Sequence, residues 1–460
     1  MSQPTMSQPG GPSRPSVAQI RDLFARRSLW QSWLDVEAAL AESQADLGII
    51  PAEAAHEIRA KARVDCLDEA ALAADIARTR APIVALTRSL AAACSGEAGG
   101  YVHWGATTQN VVQTGRTLLM QRAHYALMQG FDDILAKLAD LAEREAKTVI
   151  VARTNLRHAL PITFGFKVSG WIEEWLRHRE RFAQAAPRVF SAQWGGAVGA
   201  MHAIGPLGPE LNRNLAARLG LGYFTVPSRA GLDYFAEYIL LLGLFSATCS
   251  KIARDLYSMM ADEIDEVTET LGDDVVGSST MPHKVNSKIA VHVLSLAARL
   301  RTQVPLALEA MQPTFEGDGA HNQMISAMVD QACPLAYELI TMMDELIGSI
   351  GLHPMQMHEN LTRSGEFLAS ENAMMALAPL LGRSRAHDVV HHAVHEALHR
   401  HISLTDAIMA DPSLPPSVTA DLVRNALDPA RYTGLSETLA LEMARAARAA
   451  LAQPPTKTSD

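Results

Sequence analysis

The sequence is poor in features that several protein classes depend on. Aromatic residues make up 5% of the 460 residues, and the four cysteines, Cys66, Cys94, Cys249 and Cys333, form no CxxC pair. Few aromatics together with abundant Ala, Leu and Met favour helices over strands. Widely spaced cysteines in apolar helical contexts are typical of reduced, buried thiols. We therefore expect a cytoplasmic protein without disulfides.

Two further absences exclude classes of binding partner. The net charge of -10 argues against the basic surface that nucleic-acid binding needs. The longest apolar stretch, residues 238–249, is too short to cross a bilayer and predicts a buried bundle helix. The first 16 residues are rich in Pro, Ser and Gly and lack the apolar core of a secretory signal. The sequence thus predicts no nucleic-acid partner, no membrane association and no export.

Apolar residues recur at helical spacing over unusually long segments, which predicts an all-α protein. The predicted helices cover residues 20–44, 107–141, 161–185, 234–271, 288–309 and 322–348. After residue 354 the chain returns to shorter helices broken by prolines. The predicted organisation is a disordered tail, an N-terminal helical domain, a central long-helix bundle, a C-terminal helical domain and a second tail, over residues 1–16, 17–110, 111–350, 351–450 and 451–460.

The most specific local pattern is GSSTMPHKVN at residues 277–286, a polar segment between two long apolar helices. Serines beside a glycine can place a hydroxyl where backbone N–H groups converge, and Lys284 adds a positive charge that attracts anions. A serine hydroxyl is a poor base in water, so only such surroundings would make Ser278 a useful one. This segment is the first candidate for the catalytic centre.

Two other segments carry polar side chains at element boundaries. The sequence HWGATTQN at residues 103–110 places Thr107 and Thr108 where a long helix begins, and free N–H groups there can hold a carboxylate. The sequence RTNLRHALPITFG occupies residues 153–165, and QWGGAVG occupies residues 193–199. Glycine-containing connections of this kind are where binding and catalytic residues concentrate.

Together these segments resemble the signature regions of the fumarase/aspartase superfamily, whose third signature reads GSSxMPxKxN. The resemblance extends to LDPARYTG at residues 427–434 and covers nearly the whole chain. It is similar to the branch of adenylosuccinate lyase and 3-carboxy-cis,cis-muconate cycloisomerase. The resemblance implies three helical domains and a homotetramer whose central helices form one large bundle, with active sites shared between subunits. It also implies a dicarboxylate substrate, no cofactor and no metal.

The resemblance implies a role for each matching residue. Ser278 would be the base, and Lys284 would stabilise the doubly charged aci-carboxylate that follows proton removal. Thr107 and Thr108 would hold one substrate carboxylate, and Lys284 with Asn286 would hold the other. Further substrate contacts are expected from the remaining motif residues, Asn155, Arg157, Gln193, Ser279, Met281 and Arg301. His158 is the best available acid.

The departures from the family pattern bear on the leaving group. Adenylosuccinate lyases carry a histidine that acts as general acid where this chain has Asn155. Asn110 stands where the family usually has Asp. Cycloisomerases usually carry RDR and HER motifs, whereas this chain has Leu232-Asp233-Tyr234 and a glycine, Gly317, at those places. The third carboxylate of a muconate substrate would then lose its expected cationic partners.

These departures rank the hypotheses on function. The first is a lyase that eliminates a substituent from a substituted succinate, for example nitrite from nitrosuccinate, because a stable anion needs no acid. The second is 3-carboxy-cis,cis-muconate cycloisomerase, and the third is adenylosuccinate lyase. A non-catalytic, crystallin-like scaffold ranks last because the serine and lysine are both present. His387, His391, His395 and His399 recur every four residues, and we interpret them as the exposed flank of a helix rather than a metal site.

Overall fold

Helices form almost all of the secondary structure in the computed structural model, which describes residues 14–272, 280–281 and 284–452. The all-α prediction is confirmed. The N-terminal helices are α1 (Val17–Leu23), α2 (Arg26–Asp46), α3 (Ala52–Lys61), α4 (Glu69–Thr79) and α5 (Pro82–Ala93). Short 3-10 helices cover Val64–Cys66, Ala98–Tyr101, Gly205–Leu207, Gly365–Ala369 and Pro429–Arg431.

Long helices build the centre of the molecule. They and their shorter neighbours are α6 (Thr108–Arg144), α7 (Phe164–Val189), α8 (Gly208–Leu219), α9 (Asp233–Met259), α10 (Ile289–Arg301), α11 (Gln303–Ala310) and α12 (Gly319–Gly348). The C-terminal helices are α13 (Pro354–Ser364), α14 (Ser370–Leu381), α15 (Arg383–Arg400), α16 (Leu404–Met409), α17 (Ala420–Ala426) and α18 (Ser436–Ala452).

The strands of the described ranges pair in twos at the ends of helices. They are β1 (Val149–Thr154), β2 (Arg157–Thr163), β3 (Ser191–Ala192), β4 (Gly222–Tyr223), β5 (Val267–Glu269) and β6 (Ile350–Leu352). β1 and β2 form an antiparallel hairpin, β3 pairs with β4 in parallel, and β5 pairs with β6 antiparallel.

The main core lies along α6, which packs against α2, α7, α12 and α18. Leu127, Phe131 and Ile134 are buried because helical spacing brings them to one face of α6. The Phe131 ring centroid lies 4.9 Å from that of Trp175 and 4.6 Å from that of Phe245. Trp175 Nε1 donates a hydrogen bond to the Phe131 carbonyl oxygen at 3.0 Å, so the buried indole is satisfied. A continuous core therefore joins α6, α7 and α9.

Helix α9 is long and apolar enough to cross a membrane by length and composition alone. However, 61% of its most apolar window is buried inside the protein, where it packs against α7, α10, α11 and α12. The predicted buried bundle helix is thus confirmed. The sequence argument that its apolar stretch is too short for a bilayer is wrong, since the helix continues beyond residues 238–249 at both ends.

Several predicted helix boundaries are wrong for identifiable reasons. The helix predicted over residues 234–271 ends at Met259, because residues 267–269 form β5 and pair with β6. The segment 161–163, assigned to a helix, completes β2. The helix predicted over 288–309 is divided at Thr302 into α10 and α11. In the first two cases a strand pairing that local periodicity does not reveal decides the outcome.

His124 lies in an aromatic part of this core and should make stability depend on pH. Its ring is buried beside Phe190 and Tyr238, at centroid distances of 4.9 and 5.8 Å, and burial lowers its pKa from 6.5 to about 4. The unfolded chain therefore takes up the proton first, and stability is lost as pH falls from 6.5 towards 4. The loss should approach about 3 kcal/mol, at ~1.4 kcal/mol per pKa unit.

Urea unfolding followed between pH 7 and 4.5 would measure this loss. His124→Gln should remove part of the pH dependence, since burial lowers the pKa of His178 to about 4 as well. The matched variant His387→Gln should remove none of it, because His387 is exposed. An equal slope in both variants would show that His124 does not control it.

The C-terminal helices α14 to α17 enclose a second, smaller core that includes Leu377, Val390 and Ile408. Helix α18 does not belong to this cluster and packs against α6 and α7 instead. On α15, His387 and His391 lie on the exposed side with their rings stacked at 5.8 Å, as predicted. In the part of the chain that the structure describes, no group of three or more His, Cys, Asp or Glu side chains is placed to hold a metal ion.

All four cysteines are free. Cys249 and Cys333 are buried as predicted, but Cys66 is exposed and Cys94 is half-buried. The burial prediction is wrong for these two because Cys66 ends a short surface turn, Val64–Cys66, and Cys94 follows the last turn of α5.

Residues 1–13 and 453–460 of the predicted tails lie outside the described residues. Residues 14–16 are held against the bundle. Arg14 forms ion pairs with Asp133 at 3.0 Å and Asp344 at 2.8 Å, and Ser16 caps α1.

Candidate active site

The first signature segment begins α6, as predicted. Thr107 is the N-cap of α6, and Thr108 is its first residue. The Asn110 side chain accepts hydrogen bonds from the backbone N–H groups of Thr107 at 3.3 Å and Gly196 at 3.1 Å. Asn110 therefore acts as a structural link that fixes the loop 193–199 against the start of α6. The exposed Thr108 hydroxyl stands beside the free N–H groups of the first turn, where an anion is favoured.

Next to Thr108 the structure contains a cavity of about 150 Å³. Its walls come from α6, from α12 and from the loop before α9. The lining residues are Thr108, Gln109, Val112, Gln113, Arg116, Arg229, Asn322, Ile325 and Ser326. Two of them are cations. Sequence reasoning identified only Thr108 in this set, because residues of three distant segments meet here and no local pattern marks the others.

Gln193 is buried behind this cavity. Its Nε2 donates to the Ser228 carbonyl oxygen at 2.5 Å, and its backbone N–H donates to Thr114 Oγ1 at 3.1 Å. The side chain thus holds the segment that carries Arg229 in place. In this arrangement Gln193 supports the cavity wall and is not among the lining residues.

The second signature segment forms the β1–β2 hairpin. Thr154 pairs with Arg157, so Asn155 and Leu156 make a two-residue turn, with φ angles of 51° and 62°. Positive φ at both central residues is what a type I′ hairpin turn requires, and Asn adopts it readily. Leu156 adopts it at a cost and is 95% exposed. The hairpin tip therefore projects Asn155, Leu156 and Arg157 away from the protein.

His158 lies below the tip, half-buried, with Nδ1 2.7 Å from Ser364 Oγ. Burial, and next the positive charge of Arg153, lower the pKa of His158. The imidazole is therefore mostly neutral at pH 7. Arg153 in turn forms a bidentate ion pair with the fully buried Glu266, at 2.6 and 2.9 Å. Asn360 Nδ2 also donates to Glu266, at 2.9 Å.

The third signature segment lies only partly within the described residues. Ser278 and Ser279 lie outside them. Met281, Lys284 and Asn286 are exposed, and the Lys284 N–H donates to the Met281 carbonyl oxygen at 3.0 Å. The structure therefore does not test Ser278 as the base, but it places Lys284 at the surface.

The base of this segment is held by one carboxylate. Glu269, which ends β5, is buried and accepts hydrogen bonds from Ser287 Oγ at 2.6 Å and from the Lys288 and Ala290 N–H groups at 2.7 and 2.8 Å. It satisfies the free N–H groups at the start of α10. Both ends of the segment 270–286 are thereby joined.

Arg301 stands at the other end of α10 from this segment. Its Nη1 donates to the Ser246 carbonyl oxygen on α9 at 3.3 Å. Since α10 has 13 residues, Arg301 is about 20 Å along the helix from its start. Arg301 and Asn286 are therefore distant within one chain.

Apart from Arg301, the described candidate residues form two groups separated by the length of α6. Thr107, Thr108 and the cavity lie where α6 begins, and the hairpin follows its end. A helix of 37 residues is about 55 Å long. The Arg153–Glu266 ion pair connects the hairpin to the residue before β5, so the second and third segments belong to the same end of the bundle. Within one chain, Thr108 is therefore far from the hairpin and from Glu269, where the third segment is attached.

Comparison with known proteins gives a consistent family. A family model described as Lyase matches residues 13–299, and one described as Adenylosuccinate lyase C-terminus matches residues 366–442. An N-acetyl-S-(2-succino)cysteine lyase of Enterococcus italicus is 33% identical over 421 residues, 91% of this chain and 92% of the relative.

A 3-carboxy-cis,cis-muconate cycloisomerase of Pseudomonas aeruginosa is 32% identical over 421 residues, 91% of this chain and 92% of the relative. Among solved structures, a fumarate lyase from Mesorhizobium sp. BNC1 superposes with a TM-score of 0.85 at 30% identity, covering 95% of this chain and 100% of that one.

Proposed function

The chain belongs to the fumarase/aspartase superfamily of lyases, in the branch of carboxymuconate cycloisomerase and adenylosuccinate lyase, and we propose that it expels a stable anion from a substituted succinate. It is an enzyme of the succinate-type β-elimination class. The product of the proposed reaction is fumarate or a fumarate-like alkene.

The observation that carries the choice of leaving group is the lack of a ready acid on the described hairpin. Asn155 is an amide and delivers no proton at neutral pH. His158 is held mostly neutral by burial and by Arg153. A leaving group that departs as a stable anion needs no proton, whereas an amine leaves poorly without one. The site therefore favours a thiolate or nitrite over an amine.

The proposed chemistry assigns the motif residues as follows. Ser278 removes the proton next to one carboxylate, which Lys284 and Asn286 bind. Thr107 and Thr108 hold the other carboxylate at the start of α6. Lys284 stabilises the aci-carboxylate dianion, the charge that catalysis must favour over bound substrate. The carbon–sulfur or carbon–nitrogen bond then breaks, and its electron pair leaves with the departing anion. No cofactor or metal takes part in this scheme.

Among anionic leaving groups a thiolate ranks first. A thiol has an ordinary pKa near 8.5, so its conjugate base is stable close to neutral pH. The relative from Enterococcus italicus is named for a thioether substrate of succinate. Nitrite, expelled from nitrosuccinate, is the other candidate that needs no acid.

We further propose that the active site is shared between subunits of a homotetramer with three helical domains per chain. The separation of the segments along α6 and the exposed hairpin tip support this arrangement. A projecting Leu156 in a costly conformation is better explained by docking into another copy than by folding alone. The free cysteines fit a cytoplasmic enzyme.

A substrate panel tests the proposed leaving group. Fumarate formation, measured by ultraviolet absorbance, should be fastest with an S-(2-succino) thioether or nitrosuccinate and slower with adenylosuccinate or aspartate. His158→Asn should abolish any amine elimination and spare release of the stable anion. Efficient cleavage of adenylosuccinate by the unmodified enzyme would overturn the ranking.

One observation favours 3-carboxy-cis,cis-muconate cycloisomerase as the second candidate. The sequence lacks the cations expected at Leu232 and Gly317, but Arg229 occupies the cavity and supplies a positive charge there. Lactone formation from 3-carboxymuconate, without elimination from any succinate, would establish this alternative.

A further inference from the structure

Arg229 is a partly buried cation without a carboxylate partner among the described residues. Its Nε donates to Gln109 Oε1 and its Nη1 donates to the Ala197 carbonyl oxygen, both at 2.6 Å. Both partners are neutral. By contrast Arg116, the other cation of the cavity, forms a bidentate ion pair with Asp330 at 2.9 and 3.1 Å. The cavity therefore carries the uncompensated charge of Arg229 alone, and partial burial of that charge favours a bound anion.

The hydrogen bonds around Arg229 determine the orientation of three side-chain amides, those of Gln109, Asn322 and Gln113. A guanidinium can only donate, so Gln109 must present its oxygen to it. Gln109 Oε1 also accepts from Asn322 Nδ2 at 3.3 Å, and Asn322 Oδ1 accepts from Gln113 Nε2 at 3.2 Å. Gln113 Oε1 is left buried without a donor among the described residues. The cation of this cavity that has no described anionic partner points to an anionic ligand.

Gly317 lies beside the guanidinium of Arg229. A Cβ atom added at Gly317 would lie 3.5 Å from Arg229 Cζ, Nε and Nη2. The glycine thus lies against the guanidinium, whose Nη2 donates no hydrogen bond to Gln109 or Ala197. The sequence predicts a loss of positive charge at Gly317, and Arg229, from the loop before α9, brings a guanidinium next to this position.

We propose that this cavity binds an acidic arm of the substrate, with Arg229 pairing to a carboxylate beyond the two of the succinate unit. The inference rests on the proposed function, because Thr108, the residue proposed to bind a succinate carboxylate, lines the same cavity. The volume of about 150 Å³ equals that of roughly five water molecules, enough for a carboxylate on a two- or three-atom chain. The preferred substrate class is therefore a succinate whose leaving group itself carries a carboxylate.

Two matched thioethers of succinate test this proposal, one made from 3-mercaptopropionate and one from 3-mercaptopropanol. The arms differ only in their terminal group. The unmodified enzyme should prefer the carboxylate arm by roughly 10- to 100-fold in kcat/KM, the usual worth of a charge-assisted hydrogen bond. The preference should lie mainly in KM, since Arg229 is a binding residue away from the reacting carbon.

Three variants separate a specific contact from a general loss of structure. Arg229→Gln should reduce the ratio of the two kcat/KM values to near 1, and Arg229→Lys should retain part of it. Arg213→Gln, a matched change on the exposed side of α8, should keep the full ratio. A ratio near 1 in the unmodified enzyme, with both thioethers cleaved, would overturn the inference and leave the proposed function standing.

A binding measurement covers the case in which neither thioether is cleaved, which would refute the proposed function. Butane-1,2,4-tricarboxylate is an unreactive succinate with a carboxyethyl arm. By isothermal titration calorimetry it should bind more tightly than succinate to the unmodified enzyme and to Arg213→Gln, but not to Arg229→Gln. Equal affinity of both ligands for the unmodified enzyme would refute the role of Arg229 independently of turnover.

Discussion

Replacing Ser278 by alanine is expected to lower kcat by roughly 100-fold or more, the usual worth of a positioned proton transfer. The change removes the hydroxyl that takes the substrate proton and alters little volume. Binding of a dicarboxylate product should persist, because Thr108, Lys284 and Asn286 are untouched. Steady-state fumarate formation and product titration measure the two effects separately.

Ser258→Ala is the matched control for this experiment. Ser258 is exposed near the end of α9 and its hydroxyl donates only to the Arg254 carbonyl oxygen among the described residues. Its replacement should leave turnover unchanged. Near-normal turnover in Ser278→Ala would move the role of base to Ser279 or to a histidine.

Two inactive variants should restore activity when they are assembled together. Thr108→Glu places a negative charge where the first carboxylate binds, and a glutamate at the first turn of α6 is compatible with the helix. Coexpressed with Ser278→Ala, it should give mixed oligomers with activity well above that of either variant. Some sites then take the start of α6 from one chain and residues 277–286 from another, so both are intact.

The separation along α6 makes this outcome specific to shared sites. Copurification through two different tags would establish that mixed oligomers form. If such oligomers show only the average of the two residual activities, each chain carries its own complete site and the shared arrangement is refuted. A monomer that retains full activity at low concentration would refute it as well.

The long helices could be predicted because their cores repeat every three or four residues along one continuous segment. The ends of these helices could not be predicted. For example, β5 pairs with β6 some eighty positions later, and no local sequence pattern indicates this contact. The same limit applies to the site. The motif residues Thr107, Thr108 and Lys284 follow from their patterns, and the structure places the two threonines at the start of α6.

Arg229 was missed because its neighbours in space are distant in sequence. Gln109 lies 120 positions earlier and contacts it from another element. The sequence did contain one hint, an arginine three residues before Leu232, the position at which the resemblance to cycloisomerases leads us to expect a cation. Only the fold shows that this arginine reaches Gly317.

The hydrogen bonds that Glu269 accepts from the start of α10 affect how this enzyme can change over evolutionary time. Because one buried carboxylate joins the two ends of the segment 270–286, the segment is an insert whose attachment points are fixed by β5 and α10. The entropic cost of closing such an insert grows slowly with its length. Changes in the length of the chain between these two points would therefore cost little closure entropy. Loss of Glu269 would instead uncap α10 and release both ends, so the freedom to evolve a new reaction depends on keeping this one side chain.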